Sequence, residues 1–335
     1  MSQKAGRQSV LFDPPPYLTS AATVVGPMEG RGPLGDDFDL VYRDLYINQK
    51  SFEAAERKML QEACLLALEK RNIKLNDIDY FLAGDLLNQI TVSGYSAAEL
   101  GLPFFGLYGA CSTLTLALSW GAMLVAGGFA QNVLAATSSH NCCAERQFRY
   151  PTEYGFQRPR QAQWTVTGAA AAVISAAGES PRIAAVTTGK VIDLGEKDAL
   201  NLGAAMAPAA ASTLIRHFLD LQRAPDYYDL IVTGDLGQIG SGILRKLLAR
   251  SGYFMEENYN DCGLMIYNPE LQQVEAGGSG CACSGVVVLG HLYRRMKAGE
   301  LNRVLVVSTG ALHSPTTLGQ GDSIPGVAHA VALEI

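Results

Sequence analysis

Residues 104–113 read Phe-Phe-Gly-Leu-Tyr-Gly-Ala-Cys-Ser-Thr, an aromatic and apolar run ending in a Gly-Ala-Cys-Ser turn. Leu114 to Ala126 is almost wholly apolar and closes on Gly127-Gly128. The pattern predicts a strand, a turn carrying Cys111, and a helix buried in the middle of the molecule. A cysteine placed there faces free N–H groups and the positive end of a helix dipole, which favour thiolate over thiol. On that reading Cys111 is a nucleophile. A second reading makes it a small buried residue packing a turn, since free cysteine is among the most buried residue types. These residues alone leave both open.

The 335 residues are 48% hydrophobic and 17% charged with net charge −6, which is ordinary globular composition and gives no reason to expect a nucleic-acid partner. The segment MSQKAGRQSVLFDPPPY lacks the apolar core of a secretion signal, and no helical run approaches the ~20 residues of a membrane span. Seven cysteines, with a Cys142-Cys143 pair and Cys281-Ala282-Cys283, do not form a secreted disulfide framework or a zinc spacing. A reducing, intracellular setting is expected.

Around the Cys111 turn the chain alternates strands and helices. Residues 1–17 are expected as an extended, proline-rich arm, Thr19–Val25 as a strand, and about 51–70 as a helix opening on Ser51. Strands follow at 78–86 and 133–139, then a polar, Arg-rich loop over 140–163 and a small-residue strand region at 164–176. The second half repeats this order. Arg182–Gly189 matches the first strand, and a helix is expected at about 206–222. Tyr228–Leu236 echoes Tyr80–Leu86, both ending in Gly-Asp and both followed by glutamine and isoleucine (Gln89-Ile90, Gln238-Ile239). Gly280–Ser284 echoes Gly109–Ser112, Ala298-Gly299 echoes Ala126-Gly127, and Val304–Thr309 echoes Val133–Ser138, which pairs Cys283 with Cys111. Alternating strands and helices imply βαβ units. The expectation is an α/β fold of two duplicated halves, residues 1–178 and 179–335, with the two apolar helices between two mixed sheets in five layers, αβαβα.

A duplicated α/β half with Ala-Cys-Ser opening a buried helix resembles the thiolase and ketoacyl-acyl-carrier-protein synthase superfamily over nearly the whole chain. The resemblance places Cys111 at the acylated nucleophile and implies a homodimer across an edge strand near Val133–Ser139. The superfamily's other catalytic groups are replaced. Val232–Gln238 stands where the synthases carry His-Gln-Ala-Asn, Gly278-Ser279-Gly280 stands for Gly-His-Pro or Gly-Asn, and Gly319–Gly326 lacks the second thiolase cysteine. Claisen condensation needs groups that move a proton and stabilise an oxyanion. The family fold is therefore expected without the family reaction.

More closely, the chain resembles the stage V sporulation protein AD family, through Phe12–Pro16, Gly26–Gly35, Tyr108–Thr113, Gln147–Gly155 and Gly319–Ala330. That resemblance implies binding of dipicolinic acid and assistance to the entry of its calcium complex into the developing spore. It further implies an intracellular protein of the sporulating cell, held peripherally at the spore inner membrane by membrane-embedded transport partners. No cofactor is expected, save calcium arriving with the ligand.

A flat pyridine dicarboxylate calls for guanidinium donors and an aromatic slot. Arg146, Arg149, Arg158 and Arg160 lie in one loop with Phe148, Tyr150, Tyr154 and Phe156, and Arg146 and Arg149 are favoured as nearest the buried strand. Cys111, Asp85, Asp235, Gln89, Gln238, Ser279 and His313 complete the candidate ligand site. Asp85 and Asp235 are read as hydrogen-bonding pocket walls rather than calcium ligands. Two alternatives stay open: an acyl-CoA-dependent acyltransferase or thioesterase with Cys111 as nucleophile and His313 or His140 as base, and a purely structural subunit of a membrane complex.

Overall fold

The computed structural model describes residues 3–152 and 157–335; Tyr154 and Phe156 lie outside the described residues. Elements of the first half are β1 (Tyr17–Val25), α1 (Phe52–Arg71), β2 (Tyr80–Gly84), α2 (Thr91–Leu100), β3 (Phe104–Gly106), α3 (Thr113–Ala126), β4 (Asn132–Ser139) and β5 (Gly168–Ser175). The second half supplies β6 (Arg182–Thr187), α4 (Leu202–Leu221), β7 (Leu230–Thr233), α5 (Gly237–Arg250) and β8 (Tyr259–Asp261). It continues with α6, which starts at Cys281–Val286 and runs through a π-helical stretch, Val287–Leu292, into Tyr293–Lys297. β9 (Arg303–Ala311) and β10 (Gly326–Glu334) complete it.

The strand order is β3-β2-β4-β5-β1 in the first half and β8-β7-β9-β10-β6 in the second. The directions correspond as well: the first three strands of each order run parallel, and the next two pair antiparallel. The duplication read from the motifs is thus a duplication of topology. The two sheets touch edge to edge at the single pair Arg182–Tyr17.

Side chains sort into three main cores, with a small fourth cluster at the Cys111 turn. The outer face of the first sheet packs on α1 and α2, around Met59, Leu60 and Phe81. The outer face of the second packs on α4 and α5, around Leu214, Phe218 and Leu244. Between the sheets lie α3 and α6, with Leu114, Leu118, Val286 and Leu289 at their contact with both inner faces. This is the five-layered αβαβα arrangement. Helix α1 starts where the sequence expects it: the Ser51 hydroxyl accepts the Ala54 N–H at 3.2 Å, and Asn72 closes the helix in the left-handed conformation.

Three expectations need correction. The proline-rich arm is a hairpin, Gln3–Ala5 with Ser9–Leu11, and the latter pairs with β6 of the second half. Prolines follow this strand instead of interrupting it, so they do not block the pairing. Helix α3 is not buried all round, since Trp120 remains 48% exposed. Finally, β4 lies in the sheet interior between β2 and β5, and the free edge is β3.

Candidate functional site

The Cys111 turn sits where the two halves meet. Ala110 adopts a positive φ of 46°, a strained conformation for a side-chain-bearing residue. The turn is held by the Ser112 hydroxyl donating to Gly109 O (2.6 Å), the Thr113 hydroxyl donating to Ala110 O (2.7 Å) and Cys281 Sγ on Ala110 O (3.0 Å). Across the interface Gly310 of β9 packs against the turn with no room for a side chain: a methyl there would lie 2.2 Å from Gly109 O.

Cys111 is 2% exposed, and its sulfur lies 3.9 Å from Ser279 Oγ. Ser279 donates to Asp235 Oδ2 (2.8 Å), which also accepts the Gly280 N–H (3.1 Å), while Thr309 donates to Asp235 Oδ1 (2.7 Å). Burial first, and then the Asp235 carboxylate, push the Cys111 thiol well above its ordinary range. The helix N-terminus, which favours thiolate, is outweighed because a desolvated sulfur beside a carboxylate finds no cation. Asp235 is itself pushed up by burial.

Asp85 ends the equivalent strand of the first half, but its carboxylate is committed locally. Oδ1 accepts the Leu87 N–H at 2.9 Å, and Oδ2 accepts both the N–H (2.8 Å) and the hydroxyl (2.7 Å) of Ser93. Identical Gly-Asp motifs thus do different work: one fixes its own loop and the other joins three segments beside Cys111.

A cavity of about 370 Å³ opens beside this turn, lined by Leu86, Gln89, Tyr108, Glu145, Gln147 and Phe148 among others. Phe148 belongs to a small buried cluster with Cys111, Ala110 and Leu86, against which Leu312 packs. The next residue, His313, is 4% exposed. Both of its ring nitrogens are buried without a hydrogen bond of good geometry, although the Gln147 backbone approaches the ring. Burial keeps the imidazole neutral by lowering its pKa. The other four histidines are engaged. His140 Nδ1 accepts the Cys142 N–H, so Nε2 donates to Leu45 O (3.0 Å) and the ring cannot serve as a base at Cys111. His217 bonds Thr187 and Tyr228, His291 bonds Asp37, and His329 accepts the Gly189 N–H.

Tyr150 faces His313, ring to ring at 6.4 Å, and the Arg146 guanidinium lies over Tyr150 at 5.5 Å while its Nε donates to Thr152. Arg149 folds back on its own loop through Nε to Ala144 O (2.5 Å). Arg158 is held by Gln163 O and stacks on Trp164, and Arg160 is exposed. Of the candidates, the structure gathers Cys111, Ser279 and Asp235 into one contact set. It places Gln89 on the cavity wall and His313 and Arg146 around Tyr150. Gln238 belongs elsewhere, on a separate cavity of about 260 Å³ with Tyr267 and Glu275. Sequence reasoning missed Gln147, Thr309 and the contact of Cys281 with the Cys111 turn. Only Cys281 carried a signal, its neighbourhood to the Cys-Ala-Cys echo. Among the described residues no three His, Cys, Asp or Glu side chains converge as a metal site, and no helix is long and apolar enough to cross a membrane.

This architecture is shared with thiolase-fold proteins. It resembles 3-oxoacyl-[acyl-carrier-protein] synthase III from Aquifex aeolicus VF5 at TM-score 0.57 and 14% identity, covering 96% of this chain and 100% of that one. It also resembles a variant of Xanthomonas campestris OleA with bound lauric acid and lauroyl-CoA, at TM-score 0.64 and 13% identity over 97% and 100% of the chains. At such identities the likeness establishes the fold alone. Residues 6–334 match the model of the family described as Stage V sporulation protein AD, and the chain belongs to that family. It is 51% identical over 329 residues to Stage V sporulation protein AD of Bacillus subtilis (strain 168), covering 98% of this chain and 97% of the relative.

Proposed function

We propose that this sporulation protein binds dipicolinic acid at the cavity beside the Cys111 turn and serves as a ligand carrier rather than a condensing enzyme. The observation that carries the reading is His313. A neutral imidazole with both nitrogens buried and unmatched is costly; it faces the Arg146–Tyr150 pair, and Gln147, whose backbone approaches its ring, lines a cavity whose volume suits a single-ring ligand. Arg146 supplies a planar cationic fork for one carboxylate, Tyr108 and Phe148 supply ring surface, and Gln89 and Gln147 supply neutral hydrogen bonds. Glu145, on the same wall, is an oxygen ligand for calcium delivered with the dicarboxylate.

The protein acts as a homodimer, joined through the free edge of β3, where Phe105 is 41% exposed. It sits at the spore inner membrane through membrane-embedded partners. Titration calorimetry of the purified protein with dipicolinate, against isophthalate as the diacid lacking the ring nitrogen, tests the ligand. Saturable binding that prefers dipicolinate supports the reading. Absence of binding with and without calcium overturns it and leaves a structural subunit.

A further inference from the structure

The protons around Cys111 can be assigned one by one. Ser279 has a single hydroxyl hydrogen, and the 2.8 Å contact to Asp235 Oδ2 takes it. That oxygen also accepts the Gly280 N–H, so it is an acceptor whether or not the carboxyl is ionised; a proton on Asp235 would reside on Oδ1, toward Thr309. Ser279 therefore turns only lone pairs toward the sulfur, 3.9 Å away. The ionisable groups acting most strongly on Cys111 are Asp235 and Cys281, with Tyr108 beyond them, and none is a cation. His140 is committed to Leu45 and Cys142.

A thiolate in this position would face a carboxylate and a hydroxyl oxygen with no donor to receive it. A thiol finds an acceptor in Ser279 Oγ. We infer that the Asp235–Ser279 pair holds Cys111 as a neutral thiol, so that this residue donates its hydrogen within the packed turn and is closed to acyl transfer. Asp235 and Ser279 are positioning residues in this arrangement: they fix the protonation state of a third group. The inference does not depend on which ligand the cavity takes, and ligand calorimetry and the thiol measurement can fail separately.

The test is a spectroscopic titration of the full-length protein. Thiolate absorbance at 240 nm is followed from pH 6 to 11, and the curve of a Cys111→Ser variant is subtracted to isolate this residue. The expected wild-type midpoint lies well above the ordinary thiol value of about 8.5. Asp235→Asn removes the carboxylate while keeping its shape and is expected to lower the midpoint by at least one unit, giving about ten-fold more thiolate near pH 8. A wild-type midpoint at or below the ordinary value overturns the inference. So does an unmoved midpoint in a folded Asp235→Asn protein, or an acyl adduct on wild-type Cys111 after incubation with acetyl-CoA, read by intact mass. Should the variant fail to fold, the wild-type midpoint and the adduct measurement decide.

Discussion

Cys111 and Ser279 stand at the same place in the two halves, each two residues ahead of a buried helix, and their side chains meet 3.9 Å apart. The duplication brings its two equivalent loops to one point, with a thiol from one side and a hydroxyl from the other. Everything that shapes the site follows from how tightly this meeting is packed, and Gly310 is its tightest contact. A methyl group there would overlap Gly109 O at 2.2 Å and crowd Ser112 N at 3.2 Å, both backbone atoms. Gly310→Ala is expected to destabilise the fold by ~1–3 kcal/mol through overpacking, measured by denaturant unfolding. An unchanged midpoint would mean that the halves are not locked here.

Ligand binding should depend on particular side chains around the cavity. His313→Ala and Arg146→Ala are each expected to weaken dipicolinate binding about ten-fold or more, the magnitude of a lost buried or charge-assisted hydrogen bond. Gln238→Ala should leave it unchanged, because that residue lines a different cavity. Calorimetry of the three variants separates them. Equal weakening in all three would place the ligand elsewhere.

Stability should fall as pH rises, in part through Glu56. This buried carboxyl accepts Ser138 Oγ and Cys143 Sγ and is pushed up to about 8 by burial and then by the Asp85 charge. A folded-state pKa above the unfolded value means the folded protein binds the proton more tightly. The stabilisation is complete below about pH 4.5, is lost as pH climbs toward 8, and is absent above it. Glu56→Gln keeps the protonated form's shape, so its melting temperature should decline less between pH 5 and pH 9 than that of the wild type. Parallel declines would exclude Glu56 as the cause.

Dimer formation should depend on β3. Phe105→Glu places a charge on an edge that carries exposed aromatic surface and is expected to convert the proposed dimer to monomer, read by light scattering. A persistent dimer would move the interface to another face.

Much of the fold was legible because its signals are local and repeated. Ser51 marks a helix start, the Gly-Asp strand ends recur, and the apolar run after Cys111 announces a buried helix. The pairing of Cys111 with Cys283 failed for a geometric reason. Matching Ala298-Gly299 with Ala126-Gly127 aligns the helices from their ends, but α6 begins earlier relative to its end and contains a π-helical stretch, so its starting register differs. The structural counterpart is Ser279, whereas Cys283 packs in the core with Sγ on Gly234 O. Site chemistry was less legible. Asp85 and Asp235 look alike in sequence, and only the three-dimensional supply of donors separates them. His313 drew notice as one histidine among five, and its distinction, two unmatched nitrogens, is a property of its surroundings.

The hairpin at residues 3–11 gives the molecule a closure that neither half possesses alone. Ser9 reaches Thr187, 178 positions further along, at 2.8 Å, and Asp220 accepts the N–H groups of Arg7 and Gln8. A growing chain therefore releases this segment long before the surface that receives it exists. Leu11 and Glu334 line the same cavity, so early and late residues meet there. The segment at residues 3–11 is fastened only when the second half has been made.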